Sequence, residues 1–462
     1  MSKTTAGRKT PDMVNGPLLG KILLFALPII ATGMLQLFYN AMDMIVVGRF
    51  NGETALAAVG ATGALINLIT NAFIGLSLGA SVVVAQNMGA GRNEDVSKTV
   101  HTSVMIGAIG GVFLAVVGII LARPMLALME TPPDVIDQSV IYTQIYFAGM
   151  PAMLLYNFGA AVLRAVGDSK HPLIFLTISG IVNVVLNVVF VYYFNMGVAG
   201  VATATDISQV LSAILALRCL NKADDCYKFE PRKLKISTDK LWEIIRIGLP
   251  AGIQSSLFSF SNVLIQSAIN SFGAITMAGH TAAVNIEGFA NVAVNGVSQS
   301  AMTFVGQNTG ARKPERIKKI IWICTGLTSV VTIVICGLIR VFASPLLHLY
   351  TDQQAVVEWG TLRLDIICKT YILLALMDLY SQVQRGMGRS IVPMIVSLAG
   401  ICGFRILWLY TAFIEYPTMM CLYISYPVSW GITGLVHLIC LLFTFRSVKK
   451  QFAKEKEEKA IV

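Results

Sequence analysis

Roughly a dozen apolar segments, each of about 20 residues or more, run through this sequence. They lie at 18–47, 54–80, 99–122, 138–162, 172–194, 198–217, 247–270, 276–305, 320–339, 356–380, 391–414 and 419–445. A helix rises about 1.5 Å per residue, so each is long enough to cross a hydrocarbon layer of ~30 Å. No water reaches that layer to satisfy backbone N–H and C=O groups, so a spanning segment of this kind has to be helical. Charged residues make up 13% of the chain, against about 25% in soluble domains, too few to cover a water-facing surface. The expected fold is an all-α integral membrane protein with twelve transmembrane helices. No cleavable signal peptide is expected, because residues 1–17 are polar and basic and the apolar run after them is long enough to span. The eight cysteines are scattered without a C-x-x-C pair, which points to neither a disulfide framework nor a zinc site.

The net charge of +10 is a topology signal. When loops are assigned to alternate sides, one side collects Lys3, Arg8, Lys9, Lys21, Arg92, Lys98, Arg164 and Lys170. It also collects the 218–246 connector, the Arg312–Lys319 run, Arg385, Arg389 and the C-terminal tail. The other side keeps Arg49, Arg123 and Arg340. The positive-inside rule then places both termini in the cytoplasm and the protein in the cytoplasmic membrane, and no nucleic-acid partner is expected.

The chain is written twice. "LLFALPII" at 23–30 has a counterpart in "IRIGLPAG" at 245–252, and "VVAQNMGAGRNED" at 83–95 in "TFVGQNTGARKPER" at 303–316. "LRAVGDSKHP" at 163–172 returns as "QRGMGRSIVP" at 384–393, so that the offset stays near 221 and pairs Gln86 with Gln307 and Pro172 with Pro393. Six spans separate the copies, so both have the same orientation in the membrane. This predicts two six-helix lobes in a parallel repeat, related by a pseudo-two-fold axis along the membrane normal. The expected division is a cytoplasmic tail 1–17, an N-lobe 18–220, a charged cytoplasmic linker 221–240, a C-lobe 241–446 and a cytoplasmic tail 447–462, the last a solvated helix end or disordered. Gly75 with Gly79 and Gly107 with Gly111 form G-x-x-x-G pairs, which let helix backbones approach closely in lipid. "GLSLG" at 75–79 also matches the G-x-S-x-G pattern of a nucleophile elbow, but it lacks the strand-to-helix context, and packing is the expected role. Pro28 and Pro250, at matching places, are expected to kink the first helix of each lobe.

Functional chemistry must come from polar groups turned away from lipid, where their cost is lowest. Asp43 in "YNAMDMIVVGRF" lies six residues before Arg49, roughly 9 Å below the outer surface. Asn183 and Asn187 are four residues apart and share one helix face, with Asn187 about 12 Å below the turn at Asn195. Thr205 and Asp206 lie roughly 10–12 Å below Val198. One carboxylate among amide and hydroxyl oxygens suits Na⁺ coordination by hard ligands, or a proton held on a carboxyl removed from water. The structural alternative is that the asparagines join helices and Asp43 reaches interfacial water. If Asp206 faces away from this cluster it needs a partner that the sequence does not name.

The second copy carries a different set. Glu287 sits among Asn285, Asn291, Asn295 and Gln299, and the tenth span carries Arg363, Asp365, Lys369 and Asp378. Asp365 and Lys369, four apart, are expected to pair, and Arg405 at similar depth to join them. Glu287 and Asp378 have no local cation, so they are candidates to attract a cationic substrate, the alternative being helix–helix hydrogen bonds. Met34, Phe38, Tyr39, Phe258, Phe260, Met302 and Phe304 are candidates for an adaptable apolar cavity wall, or else face lipid and neighbouring helices.

The strings "NAMDMIVVGR", "ALAAVGAT", "VVAQNMGAG", "LRAVGDSKHP", "GVAGVATAT" and "FVGQNTGA", in this order on two six-span copies, resemble the bacterial multidrug and toxic compound extrusion (MATE) transporters. The resemblance runs from about Gly20 to Arg446. It implies antiport: export of bulky, often cationic or amphipathic organic compounds in exchange for H⁺ or Na⁺, by alternating access. No cofactor beyond the coupling ion is implied. Small-molecule substrates and membrane lipid are the implied partners, and a monomer suffices for two lobes to alternate. In the branch most similar to this chain the first-lobe ion site uses an acid on the first span, an Asn and an Asp four apart on the fifth, and a Thr on the sixth. Those positions here are Asp43, Asn183, Asn187 and Thr205. Asn187 stands where that pattern has Asp, which removes a negative charge and weakens Na⁺ binding at Asp43 unless Asp206 replaces it; a proton is the expected coupling ion. A site of the other type, with acids on the seventh and tenth spans, is incomplete, because the seventh offers Gln254 and Gln266 where acids are needed and the tenth offers Asp378. A lipid-linked saccharide flippase, of related architecture, calls for a more basic cavity than Arg363, Lys369 and Arg405 supply. A membrane-embedded enzyme would need a motif such as H-E-x-x-H, which the sequence lacks.

Overall fold

The structure, a computed structural model, describes residues 12–129 and 131–461. Residues 1–11 of the expected N-terminal tail, with Lys3, Arg8 and Lys9, lie outside them, as do Glu130 and Val462. The described chain is helical, with no strand among the described residues. The helices are α1 (Leu19–Gly89), α2 (Asn93–Leu128), α3 (Pro133–Ala148), α4 (Met150–Ala165), α5 (Lys170–Val188), α6 (Gly197–Asn221), α7 (Thr238–Asn270) and α8 (Ala274–Gly310). They continue with α9 (Pro314–Val341), α10 (Ala343–His348), α11 (Gln354–Gly386), α12 (Ile391–Ser397), α13 (Phe404–Tyr410), α14 (Ala412–Glu415) and α15 (Met419–Ile461).

Eight helices among the described residues are long and apolar enough to cross a membrane, and α3 with α4, bent by 47° at Gly149, makes a ninth. The other three expected crossings are α7, α8 and α11, of 33, 37 and 33 residues. They are long enough, but their polar residues lower their average apolarity: Gln254 and Gln266 on α7, Glu287 and its neighbouring asparagines on α8, and the Arg363–Asp378 series on α11.

α1 contains two spans. Its first, Leu19–Phe50, is followed by a break at Gly52, whose φ of 81° is open to glycine and costly for other residues. The second arm runs to Gly89, past the expected end at residue 80, so "VVAQNMG" is helical and the chain turns at Gly91 with φ 69°. π-helical turns occur in the fifth and eleventh spans, at Val189–Tyr193 after α5 and Leu398–Gly403 between α12 and α13.

The chain divides into two compact units. Among the described residues, the first comprises those within 12–15 and 31–256, the second those within 16–30 and 257–461. Relative to lobes drawn at 18–220 and 241–446, the start of α1 goes with the second unit and the start of α7 with the first. Pro28 and Pro250 lie inside these helices just before the change of unit.

The first unit shows what its glycines are for. A Cβ on Gly75 would lie 2.2 Å from the Gly252 backbone nitrogen, and one on Gly79 2.5 Å from the Ile244 carbonyl. The second arm of α1 and the start of α7 thus pack backbone to backbone, the arrangement that replaces the hydrophobic effect in lipid. Gly111 meets Pro151 of α4 in the same way. Ser77, the nominal nucleophile of "GLSLG", donates to Ile74 O at 2.7 Å, a local helix bond, as the packing role requires. The linker lies against α2: Glu230 N donates to His101 Nε2 at 3.1 Å and Ser237 N to Thr102 Oγ at 3.0 Å. In the second unit, the core joins α8, α9, α11 and α15 through Ile286, Cys336, Leu364, Tyr371 and Trp430. The tail 447–462 continues α15 as a helix through Ile461, where Lys449 pairs with Glu315 at 2.9 Å and Glu455 with Arg312 at 2.5 Å.

Candidate functional site

In the first unit, four of the five polar residues singled out by depth form one hydrogen-bonded chain. Asn187 Nδ2 donates to Asp43 Oδ1 at 2.5 Å and to Asn183 Oδ1 at 3.3 Å, and Asn183 Nδ2 donates to Thr205 Oγ1 at 3.3 Å. The first span of α1 supplies the carboxylate, one face of α5 the two amides, and α6 the hydroxyl. Asn183 and Asn187 are buried, while Asp43 and Thr205 are partly accessible. Asn187 Oδ1 is buried and lacks a hydrogen-bond donor. The donor set here is mostly oxygen: one carboxylate, two amide oxygens and a hydroxyl, which suits a proton or a hard monovalent cation.

Asp206, the fifth residue, does not hydrogen-bond into this chain. Its carboxylate packs against Gly149, at the bend between α3 and α4, where a Cβ would fall 2.1 Å from Oδ1. Two side chains the sequence reading missed, Tyr142 and Tyr146 on α3, stack with centroids 6.1 Å apart. Both act electrostatically with Asp43 and with Asp206. Among the described residues neither carboxylate has an ion-pair partner. The available signal was the i,i+4 spacing of the two tyrosines just before the Gly149-Met150-Pro151 bend.

The second unit departs from expectation at Glu287. Arg363, which the sequence reading did not pair with it, meets it across α8 and α11, with Nε 2.8 Å from Oε1 and Nη2 donating to Oε2 at 2.9 Å. The pairing depends on how the two helices are rotated against each other, which sequence spacing does not report. Glu287 is thus already neutralised by a cation of its own chain. Arg363 also has His280 Nδ1 3.4 Å from Nη1 and lies over the rings of Tyr423 and Tyr426, 5.4 and 5.1 Å from their centroids. Asp365 pairs with Lys369 at 2.5 Å as expected, but its second partner is Arg340 at 2.8 Å, and Arg405 does not join them. Asp378 acts electrostatically with Arg385.

The apolar candidates separate. Tyr39 packs into the space left by Gly180, where a Cβ would lie 1.9 Å from its Cζ, so it joins α1 to α5. Met34 is half-buried, and Phe260 is 53% exposed on α7.

Against known proteins, the MatE family model matches residues 28–189 and again 250–411. The chain belongs to the MatE family. The double match falls on the two copies read in the sequence, and MatE membership makes the chain a multi-pass membrane transporter rather than an enzyme. Among relatives, it is 29% identical over 442 residues to "Probable multidrug resistance protein YoeA" of Bacillus subtilis (strain 168), covering 93% of this chain and 94% of that one. It is 26% identical over 394 residues to "Probable multidrug resistance protein YpnP" of the same organism, covering 84% and 87%. Its fold is that of a solved structure described as the outward-facing conformation of a multidrug resistance MATE family transporter. That match has a TM-score of 0.90 at 21% identity, covering 96% of this MatE chain and 99% of the other.

Proposed function

We propose that this MatE protein is a secondary antiporter that exports amphipathic organic compounds in exchange for protons taken up at Asp43. The observation that carries this reading is the chain from Asp43 through Asn187 and Asn183 to Thr205, which joins three helices around one carboxylate. The names of the Bacillus subtilis relatives support the cargo class.

Asn187 favours the proton. An amide carries both donors and an acceptor. With Asp43 ionised, Nδ2 donates to it, as here; with Asp43 protonated, a rotated amide accepts the carboxyl O–H through Oδ1, the atom now without a donor. An ionised carboxylate at this position could accept from protonated Asp43 but could not donate to ionised Asp43. Na⁺ is the second reading, with Asp43, Asn183, Asn187 and Thr205 as oxygen ligands and Asp206 as a more distant negative charge. Coupling requires that the ion and the cargo favour different conformations, since only differential affinity shifts an equilibrium. Proton binding that breaks the Asn187–Asp43 hydrogen bond supplies such a difference between α1 and α5.

The proposed arrangement is a monomer in the cytoplasmic membrane with both termini in the cytoplasm, an N-lobe at 18–220, a linker at 221–240, a C-lobe at 241–446, and tails at 1–17 and 447–462. The test is dye uptake into everted vesicles under a pH gradient alone and a Na⁺ gradient alone. An acidic lumen by itself should drive uptake, and Asp43→Asn should abolish it while the protein remains inserted and folded by size-exclusion profile. Uptake driven solely by Na⁺ would replace the proton reading, and wild-type transport by Asp43→Asn would remove Asp43 from the mechanism.

A further inference from the structure

The second unit buries three arginines, Arg363, Arg385 and Arg405, and the surroundings of the first and the last differ. Arg363 is 3% exposed and holds the single carboxylate of Glu287 through Nε and Nη2. Arg405, on α13, is 4% exposed and has no carboxylate partner among the described residues. Its Nε donates to Ser429 Oγ at 3.2 Å and its Nη1 to Asn262 Oδ1 at 3.5 Å, both neutral acceptors. The groups that act on it electrostatically are Tyr426, Cys402 and Arg363. Its guanidinium lies 4.2 Å from the Tyr426 ring centroid and 5.9 Å from that of Trp430. Tyr426 is shared, because Arg363 lies 5.1 Å over the same ring. Two cations therefore lie close to one aromatic ring, and the acid Glu287 is paired with Arg363.

An arginine inside a membrane protein without an acid is costly and marks a functional site by default. Cation–π contacts offset part of that cost but leave the charge in place. Arg405 also follows the π-helical turn Leu398–Gly403 by two residues, a distortion frequent at functional sites. The repeat sharpens the point. With the offset of 221, Arg363 corresponds to Tyr142 and Tyr426 to Thr205, both in the carboxylate cluster of the first unit. Among the described residues, the repeat thus sets acids without an ion pair around these positions in one copy and a guanidinium without one in the other.

We propose that Arg405, with the faces of Tyr426 and Trp430, is an anion-recognising subsite for the exported compound. The cargo is then an amphipathic anion or zwitterion: a planar aromatic body bearing a sulfonate, carboxylate or phosphate. The guanidinium fork bonds the anionic group and the rings hold the planar body. Arg363 cannot take this role while Glu287 occupies its fork. The inference rests on the export reading above and narrows its cargo.

The test is equilibrium binding by fluorescence anisotropy to the purified full-length protein in phosphatidylcholine nanodiscs, using lucifer yellow, an aromatic disulfonate, and ethidium, an aromatic cation. Wild type should bind lucifer yellow. Arg405→Met, which keeps the apolar volume, should weaken it about tenfold to a hundredfold. Arg405→Lys, which keeps the charge and loses the fork, should fall between them and covers the case in which Arg405→Met fails to fold. Ethidium affinity should stay within about twofold or rise when the positive charge is removed. Lucifer yellow affinity unchanged in both variants, or wild type binding ethidium and not lucifer yellow, overturns the proposal. Adding phosphatidylglycerol separates the two sources of an anion. Competition seen in wild type and lost in Arg405→Met assigns the subsite to a lipid headgroup, and no competition assigns it to a soluble anion; both outcomes support anion recognition at Arg405. Equilibrium binding needs no ion gradient, so failure of the antiport reading and failure of this one are separate results.

Discussion

At the residue scale, the identity of residue 187 decides how Asp43 behaves. Asn187 gives Asp43 a donor at 2.5 Å without adding charge. Asn187→Asp places a second carboxylate within hydrogen-bond distance, and two close carboxylates resist being ionised together unless a cation or proton lies between them. The variant should therefore gain Na⁺ dependence: uptake driven by a Na⁺ gradient alone should rise at least severalfold over wild type in everted vesicles. A variant that responds to pH alone would show that the second charge does not create a Na⁺ site. The positions of Asp43, Asn183, Asn187 and Thr205 were legible in the sequence because helix rise fixes depth and buried polar groups stand out among apolar ones. Tyr142 and Tyr146 were not, since tyrosines in a membrane span are unremarkable until a carboxylate is found beside them. Gly149 was invisible for a related reason, because its importance lies in the side chain that fills its missing Cβ.

Across elements, the pairing of α8 with α11 shows what periodicity leaves open. Asp365 and Lys369 share a helix, so their i,i+4 spacing is sufficient to foresee the pair. Glu287 and Arg363 are 76 residues apart and meet because of the rotation of two helices, which a single sequence does not encode in any local pattern. Removing one partner strands the other: Glu287→Gln should destabilise the protein by about 3–5 kcal/mol, the usual cost of breaking a buried pair. Glu287→Gln with Arg363→Met should recover part of the loss, and the thermal unfolding midpoints of the two variants measure the difference. Equal midpoints would mean that the pair is not coupled. The packing of the second arm of α1 on α7 makes a sharper demand. Gly75→Leu would drive a side chain into the Gly252 backbone, where even a Cβ lies at 2.2 Å, and relief requires the helices to separate. Folded protein on size-exclusion should fall severely for Gly75→Leu and little for Gly60→Leu, since a Cβ on Gly60 meets nothing within 4 Å.

For the whole molecule, the repeat predicted two equal six-helix halves, and the compact units follow that division except at two stretches. α1 passes from the second unit to the first after Ile30, and α7 from the first to the second after Ser256. Pro28 lies two residues before the first change and Pro250 six residues before the second. A proline inside a helix removes one i→i−4 hydrogen bond and clashes with the carbonyl four residues earlier, at a cost of about 3 kcal/mol. At Pro250 the carbonyl left without its bond is that of Arg246. This weak point is where a helix continuous through both units can bend without breaking further hydrogen bonds. Pro250→Ala restores the missing bond and favours the unkinked helix. The expected result is a raised or unchanged unfolding midpoint, an unchanged equilibrium affinity for the dye, and an initial transport rate lowered severalfold, because straightening burdens the exchange between states and not the binding site. Initial rates in everted vesicles, set beside affinities in nanodiscs, separate these effects. An unchanged rate would make the proline a passive kink, and a proportional loss of affinity would place its effect on the site instead of on the motion.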